Sequence, residues 1–588
     1  MDRLRKWVLR WWPSLATILV LWGAVAAVLV KSIPMNEGRL VYALDDSYIL
    51  MAMAKNFACH GVWGMTPFGF TASSSAPLWT LLVAVLYRVF GVQTLIPLLL
   101  NLLFATLLAF VAQWILTSLA PTIPKLYVFL VLLCIFFFSP VLNLVFIGLE
   151  HTLHIVVTLL FVFQAARILA AKAPPTRMAR LALIASGMVT GAARYEGLFT
   201  VAVVAVLLFV QRRVRFSVEL AGLSLVPATL MGAISVSRGW FWLPNSVMLK
   251  GNLPLGETNP LATFIGHVAS NAVYSGMRVI RLEGVALLLL LWLCTQSRKR
   301  QEPVAPRADS PAGNQDSTSV QVWFLVILVA TATLHMLLAR TGWFLRYEAY
   351  LVALGLTGVA VPIWNFIRSF RSPHHINVGD GAAFAAVALI VLSGNLLWTN
   401  GYDAVWMIVP GMHDTYRWHY QMATFVKRYY NGRSLVVNDI GAVDFLSDIH
   451  LTDPHGLGDR EIGRALLRTR GDLSPEFLDQ LARSRGATVA LVDENWLQFF
   501  RGQVRSGVPS TWLLAGVWKF HKRVVLAPPG LSFYAFDEAG KAQLIENLRN
   551  YSRFLPADVD QQGPYTSSAT GDLSLRDVSG SLHGRRGK

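Results

Sequence analysis

The chain has 588 residues, 54% of them hydrophobic and only 14% charged, with a formal net charge of +17. Soluble globular proteins carry about 25% charged residues, so this composition, with a mean hydropathy of +0.49, excludes an ordinary soluble enzyme and implies an α-helical polytopic membrane protein. Lys and Arg gather at the ends of apolar runs, which fits cytoplasmic loops and excludes a nucleic-acid partner.

Apolar segments are predicted near 14–31, 76–90, 94–118, 125–146, 149–170, 180–193, 198–210, 217–234, 277–295, 321–339, 349–366 and 380–397. The first is too long for the apolar core of a signal peptide and has no small-residue cleavage site, so it is expected to stay as a span. Arg3, Arg5 and Lys6 place the N-terminus in the cytoplasm. Lys172, Arg177 and Arg180, then Arg212, Arg213 and Arg215, then Arg298, Lys299 and Arg300, and finally Arg368 and Arg371 place four later loops on the same side. Parity then requires an even number of spans between residues 31 and 149, where three apolar segments lie. Segment 76–90 is the shortest and carries Arg88, so it is predicted to be re-entrant or interfacial. That leaves roughly eleven spans, N-terminus inside and C-terminus outside.

Residues 296–320 are polar and proline-rich and are predicted to be a disordered cytoplasmic linker within a transmembrane domain spanning 1–397. Beyond 398 the hydropathy falls. Short runs such as SLVVNDI (434–440) and TVALVDEN (488–495) alternate with helical patterns such as PEFLDQLARSRG. They predict a soluble, extracytoplasmic α/β domain over 398–557, followed by a disordered tail over 558–588.

Cys59, Cys134 and Cys294 show no CxxC spacing, so neither a disulfide framework nor a zinc site is expected. No P-loop, HExxH or Rossmann fingerprint is present, which removes support for ATP-driven transport. What remains is a set of polar groups that the predicted topology brings to the external face. These are the Asp45–Asp46 loop, the Glu150 loop, the Arg194–Glu196 turn, the 237–275 loop, Arg346 and the C-terminal domain. Adjacent carboxylates at a membrane surface are costly to keep ionised, and such a gathering suits a surface active site.

The order of motifs resembles the polyprenyl-phosphate-sugar-dependent glycosyltransferases of the GT-C fold, especially actinobacterial arabinofuranosyltransferase-like members. The resemblance rests on DDSYILMAMAKNFACHGVW (45–63), GFTASSSAPLWTLL (69–82), GLEHTL (148–153), ARYEGL (193–198), LPNSVMLK (243–250), RYEAYL (346–351) and NDIGAVDFLSDIHLTDPHGL (438–457). Two departures are Tyr195, where the family usually has proline, and the serine run 73–75. The last hundred or so residues add nothing to the match.

The resemblance implies an inverting enzyme that moves a monosaccharide, arabinofuranose by closest likeness, from a polyprenyl-phosphate donor to a hydroxyl of a cell-envelope glycan, glycolipid or protein. It would act at the outer face of a bacterial inner membrane. Such chemistry needs a base at the acceptor and positive charge on the leaving phosphate. Asp45 is the candidate base, against the alternative that it caps the following helix. Asp46 could orient the acceptor, hold a divalent cation or cap the helix itself. Lys250 and Arg346 are candidates for the donor phosphate, against simple snorkelling. Asn245, beside Pro244, is a candidate hydrogen-bond partner for the donor, and Arg194 a further cation that could instead pair with Glu196. Glu150 could bind sugar hydroxyls or a divalent cation. His151 and His154 have HxxH spacing, but two ligands make no metal site, and satisfied helix-end histidines are the plainer reading. Trp240, Phe241 and Trp242 fit an interfacial aromatic belt, and Trp79 a packing role. In the α/β domain, Asp439, Asp453 and His455 lie near predicted strand ends and could contact the acceptor or serve the turns. The alternatives to an enzyme are a lipid-linked sugar transporter or flippase, which would need charges at mid-membrane and internal repeats, and a non-catalytic envelope scaffold.

Overall fold

The computed structural model describes residues 2–250, 260–299, 313–369, 378–469, 472–494, 497, 499–500, 503–504, 507–520, 524 and 530–566. The chain divides into two units, Met1–His413 and Asp414–Lys588.

All twelve apolar segments of the first unit are helical. Among the described residues, seven helices are long and apolar enough to cross a membrane, or eight if the bent pair Lys125–Phe138 and Val141–Ile147 forms one span. Four more helices are shorter or more charged: Pro77–Phe90, Arg177–Ala193, Gly197–Val210 and Met277–Lys299. The 14 residues of Pro77–Phe90 extend about 21 Å at ~1.5 Å each, short of a bilayer core. The helix Asp46–His60 packs along Pro77–Phe90, and Ala349–Ser369 lies against His151–Ala170. Trp79 is buried, with its ring 6.5 Å from Phe104.

Three boundaries depart from the sequence expectation. Segment 125–146 is broken at Ser139–Pro140, with a 42° bend, because proline cannot donate into the preceding turn. The expected loop 237–275 contains the helices Asn245–Lys250 and Pro260–Asn271, the second running through a π-helical turn, Ala272–Gly276, into Met277–Lys299. The expected linker 296–320 is narrower, since helices reach Lys299 and resume at Gly313; residues 300–312 lie outside the described residues. Cys59, Cys134 and Cys294 are unbridged and exposed.

The second unit is α/β. Strands β1 (Ser434–Val437), β2 (His450–Thr452), β3 (Ala487–Val492), β6 (Leu513–Lys519), β7 (Gly530–Ala535) and β8 (Asp560–Gln562) form one sheet in the order β2-β1-β3-β7-β6-β8. A separate hairpin pairs β4 (Phe499–Phe500) with β5 (Gln503–Val504). β1 runs parallel to β2 and β3, and the other pairs of the large sheet are antiparallel. Helix starts follow the local chemistry: Ser474 accepts from the Phe477 amide ahead of Pro475, and Asp459 from the Glu461 and Ile462 amides. Phe425, Trp518, Phe533 and Tyr551 form the aromatic centre, with Trp518 stacked on Tyr551 at 5.8 Å. β8 falls inside the expected disordered tail and corrects it: as an edge strand its backbone is satisfied by β6 whatever its side chains. Residues 567–588 lie outside the described residues.

Candidate functional site

The acidic pair is set by backbone contacts. The Ala43 amide donates to the Phe146 carbonyl at 3.0 Å, and the Tyr42 amide to the Tyr48 hydroxyl at 3.1 Å. The Tyr42 hydroxyl donates to the Thr94 carbonyl at 2.6 Å, and Ser47 Oγ donates to the Ile147 carbonyl. Gly148 ends the helix Val141–Ile147 with φ +71°, and a Cβ there would lie 2.5 Å from the Tyr42 ring. Only glycine fits both the left-handed backbone and the ring. Asp45 occupies the N-cap position but makes no side-chain capping bond, so the capping alternative is not how its carboxylate is used.

Asp46, the first residue of that helix, pairs with Arg346. Arg346 is 3% exposed, and its Nη2 also donates to the Tyr347 hydroxyl at 3.0 Å. Its Nε and Nη1 are buried and have no partner among the described residues. Burial opposes the charge, but Tyr347 and Asp46 more than offset it and hold the guanidinium above its ordinary range.

Arg194 differs. Its Nη1 donates to Glu150, and its Nη2 and Nε to the two oxygens of Glu196 at 2.5 and 3.1 Å. Burial pushes the Glu196 carboxyl up, but Arg194 overrides it and keeps it below the usual carboxylate range. All three guanidinium nitrogens of Arg194 are therefore engaged, while two of Arg346 are not. Both guanidiniums lie over the Tyr347 ring, at 5.6 and 4.9 Å. Glu150 and Asp46, the two carboxylates considered for a cation, thus both face arginine; Glu150 Oε2 has no partner among the described residues.

The backbone before Arg346 is unusual. Gly342, Trp343, Phe344 and Leu345 have φ of +85°, +44°, +63° and +57°. Three bulky residues in the left-handed region cost about 1–2 kcal/mol each, or about 3–6 kcal/mol in sum. The turn is held by a fully buried ion pair. Arg278 Nη2 donates to the Leu345 carbonyl at 2.9 Å and to Glu348 Oε1 at 2.8 Å, and Glu348 Oε2 accepts from the Gly342 amide at 2.9 Å. Asn143 Nδ2 donates to the Phe344 carbonyl at 2.9 Å. Arg278 Nη1 reaches the Phe138 carbonyl at 3.4 Å, an acceptor the break at Ser139–Pro140 leaves exposed to it.

The other candidates fall as follows. His151 Nε2 lies 3.4 Å from Arg194 Nη1, and the His154 ring 4.4 Å from Tyr350. Tyr350 in turn meets His335 Nδ1 at 3.2 Å. Asn245 is buried, and its backbone N–H donates to the Ala72 carbonyl at 2.8 Å. The Trp240 ring lies 6.3 Å from Phe70. Lys250 ends its helix, but its side chain lies outside the described residues. In the second unit, the Asp439 carboxylate lies 3.7 Å from His419 Nε2. Asp453 is fully buried and accepts from the His455 and Gly458 amides, both at 2.8 Å; burial pushes its carboxyl up to about 7. Its oxygens organise the loop 453–458, which is the turn alternative.

Tyr347, Glu348, Arg278 and Asn143 were not singled out from sequence. The available signal was Arg278 and Glu348 themselves, charges inside or beside apolar segments, which are costly unless paired.

Residues 409–534 match a family described as Domain of unknown function (DUF8728). No curated protein matches the chain. Among solved structures, it is similar to ArnT from Cupriavidus metallidurans bound to undecaprenyl phosphate, at 14% identity, TM-score 0.44, over 88% of this chain and 98% of that one. It is also similar to the apo Archaeoglobus fulgidus oligosaccharyltransferase, at 9% identity, TM-score 0.46, over 89% of this chain and 74% of that one.

Proposed function

We propose that this chain is a membrane glycosyltransferase that transfers a monosaccharide, arabinofuranose by motif resemblance, from a polyprenyl-phosphate donor to a hydroxyl of a cell-envelope glycan, glycolipid or protein at the outer face of a bacterial inner membrane. The observation that carries it is Arg346: a buried guanidinium, anchored through one nitrogen by Asp46 and Tyr347, whose two remaining nitrogens have no partner among the described residues. Such a group suits a phosphate oxyanion.

In this reading Asp45 takes the acceptor's hydroxyl proton and the freed oxygen attacks the anomeric carbon. The anomeric C–O bond to phosphate breaks, and the electron pair leaves with polyprenyl phosphate, which Arg346 stabilises. Asp46 aims the guanidinium. Arg194 serves Glu150 and Glu196, and Asn245 and Lys250 of the 243–250 segment are the further candidates for binding the donor. Asp439 is the second unit's candidate for contacting the acceptor.

The test is release of polyprenyl phosphate by wild type and Asp45→Asn in nanodiscs, with a panel of polyprenyl-phosphate sugars and a crude envelope acceptor. Turnover by wild type and its near loss in a folded variant support the reading. Equal rates in both remove Asp45 as base. A wild type that binds donors and turns over none moves the chain to transport or scaffolding.

A further inference from the structure

We propose that Arg278, Glu348 and Asn143 form a positioning clamp that forces residues 342–345 into a left-handed turn and so aims Arg346 at the donor phosphate. The inference rests on the phosphate-binding role proposed above for Arg346.

The geometry separates this clamp from ordinary packing. A buried arginine–glutamate pair is weak support for stability, because apolar residues of similar size often replace it without loss. Here each partner also binds the backbone of the same short turn. Arg278 holds the Leu345 carbonyl, Glu348 holds the Gly342 amide, and Asn143 holds the Phe344 carbonyl between them. The three contacts bracket the residues with positive φ, three of which carry side chains that disfavour it. Strain of this kind persists only where surroundings over-determine it, and it collects at functional sites. Arg346 is the next residue in the chain. Released from the clamp, Trp343–Leu345 would relax toward negative φ and turn the Arg346 side chain away from Asp46.

The clamp joins three distant parts of the fold. Asn143 follows the bend at Ser139–Pro140, Arg278 follows the π-helical turn Ala272–Gly276, and Glu348 directly precedes the helix Ala349–Ser369. The π-helical turn is of a sort often found at functional sites, the bend is caused by its proline, and each sits within four residues of a clamp side chain.

The experiment measures binding of undecaprenyl phosphate to the full-length protein in nanodiscs, with thermal unfolding alongside. The double variant Arg278→Met/Glu348→Leu removes the clamp without leaving a lone buried charge. The expected result is a fold of unchanged or higher thermal stability with at least about tenfold weaker binding, since only the fraction of molecules with the turn formed is competent. Adding Leu345→Gly, which tolerates positive φ, should recover most of that loss. A merely structural role would not predict rescue by glycine. Asn143→Ala gives the same weakening if the double variant does not fold. Binding unchanged in both clamp variants, or weakened with no recovery on Leu345→Gly, overturns the clamp. Arg346→Met separates the two ideas. If it abolishes binding while the clamp variants do not, the clamp alone fails. If it leaves binding intact, the phosphate role of Arg346 fails and the clamp falls with it.

Discussion

Replacing Arg346 by lysine keeps the charge and removes the geometry, so it isolates what the guanidinium contributes. One nitrogen of Arg346 is committed to Asp46 and the Tyr347 hydroxyl, and Nε and Nη1 have no partner among the described residues. A lysine has three N–H donors on one nitrogen; it can keep the charge beside Asp46 but cannot also present a separate planar edge, as Nε and Nη1 do, to the ligand. A hydrogen bond to a charged group contributes about 1.5–3 kcal/mol. If two such bonds to phosphate are lost and the retained charge recovers about half, the deficit is about 1.5–3 kcal/mol, or about tenfold to 100-fold in affinity at 1.4 kcal/mol per decade. The assay is titration of undecaprenyl phosphate into wild type and Arg346→Lys in zwitterionic nanodiscs, with thermal unfolding to show that the variant folds. A folded Arg346→Lys that binds within about threefold of wild type would refute the reasoning, because the fork geometry would then contribute nothing.

Arg194→Met should act on folding rather than on donor binding. It strands Glu150 and Glu196 with no cation, at a cost of about 3–5 kcal/mol, read as loss of monodisperse protein in detergent. Gly148→Ala should lower thermal stability by at least about 1 kcal/mol, and should slow transfer as the Tyr42 ring and the Asp45 loop are displaced together; unchanged melting and activity would show that the ring can move aside. Asp453→Asn should flatten a pH dependence of the second unit. The folded carboxyl is raised from 3.8 to about 7, so between those values the folded state binds more protons than the unfolded one and stability falls as pH rises. The size is on the order of 3–4 kcal/mol between pH 4 and 7. Melting of wild type and variant followed at pH 4.5 and 7.5 checks it: a wild type that does not lose stability relative to the variant at the higher pH contradicts the raised value.

Helix positions were legible because apolar runs of this length have few other solutions, and β1 and β3 because each is a short run with β-branched residues followed by turn residues. Details that depend on partners far along the chain were not. Phe-Phe-Phe-Ser-Pro at 136–140 carried a visible break signal in its proline, yet the surrounding hydropathy masked it. The left-handed turn had one local cue, Gly342; Trp343, Phe344 and Leu345 favour the opposite hand and are held by side chains about 70 and 200 residues away in sequence. Arg194 and Arg346 looked alike as cations beside acidic residues. What distinguishes them is the number of nitrogens already engaged, a property of the packed structure. Asp453 was legible only as a turn residue or a ligand contact, and its two amide contacts favour the turn.

The three cysteines, unbridged and exposed, give the molecule a built-in reporter of sidedness. Cys134 lies within the apolar helix Lys125–Phe138, where a membrane-impermeant maleimide meets lipid first, and Cys294 lies five residues from the end of Met277–Lys299. Cys59 sits one residue from the end of the helix that begins at Asp46, and that helix is 15 residues long. At about 1.5 Å per residue it keeps both of its ends within about 23 Å, less than a bilayer core. Labelling of intact cells at Cys59, with no residue changed, therefore reports which compartment the acidic pair faces before any reaction has been assayed.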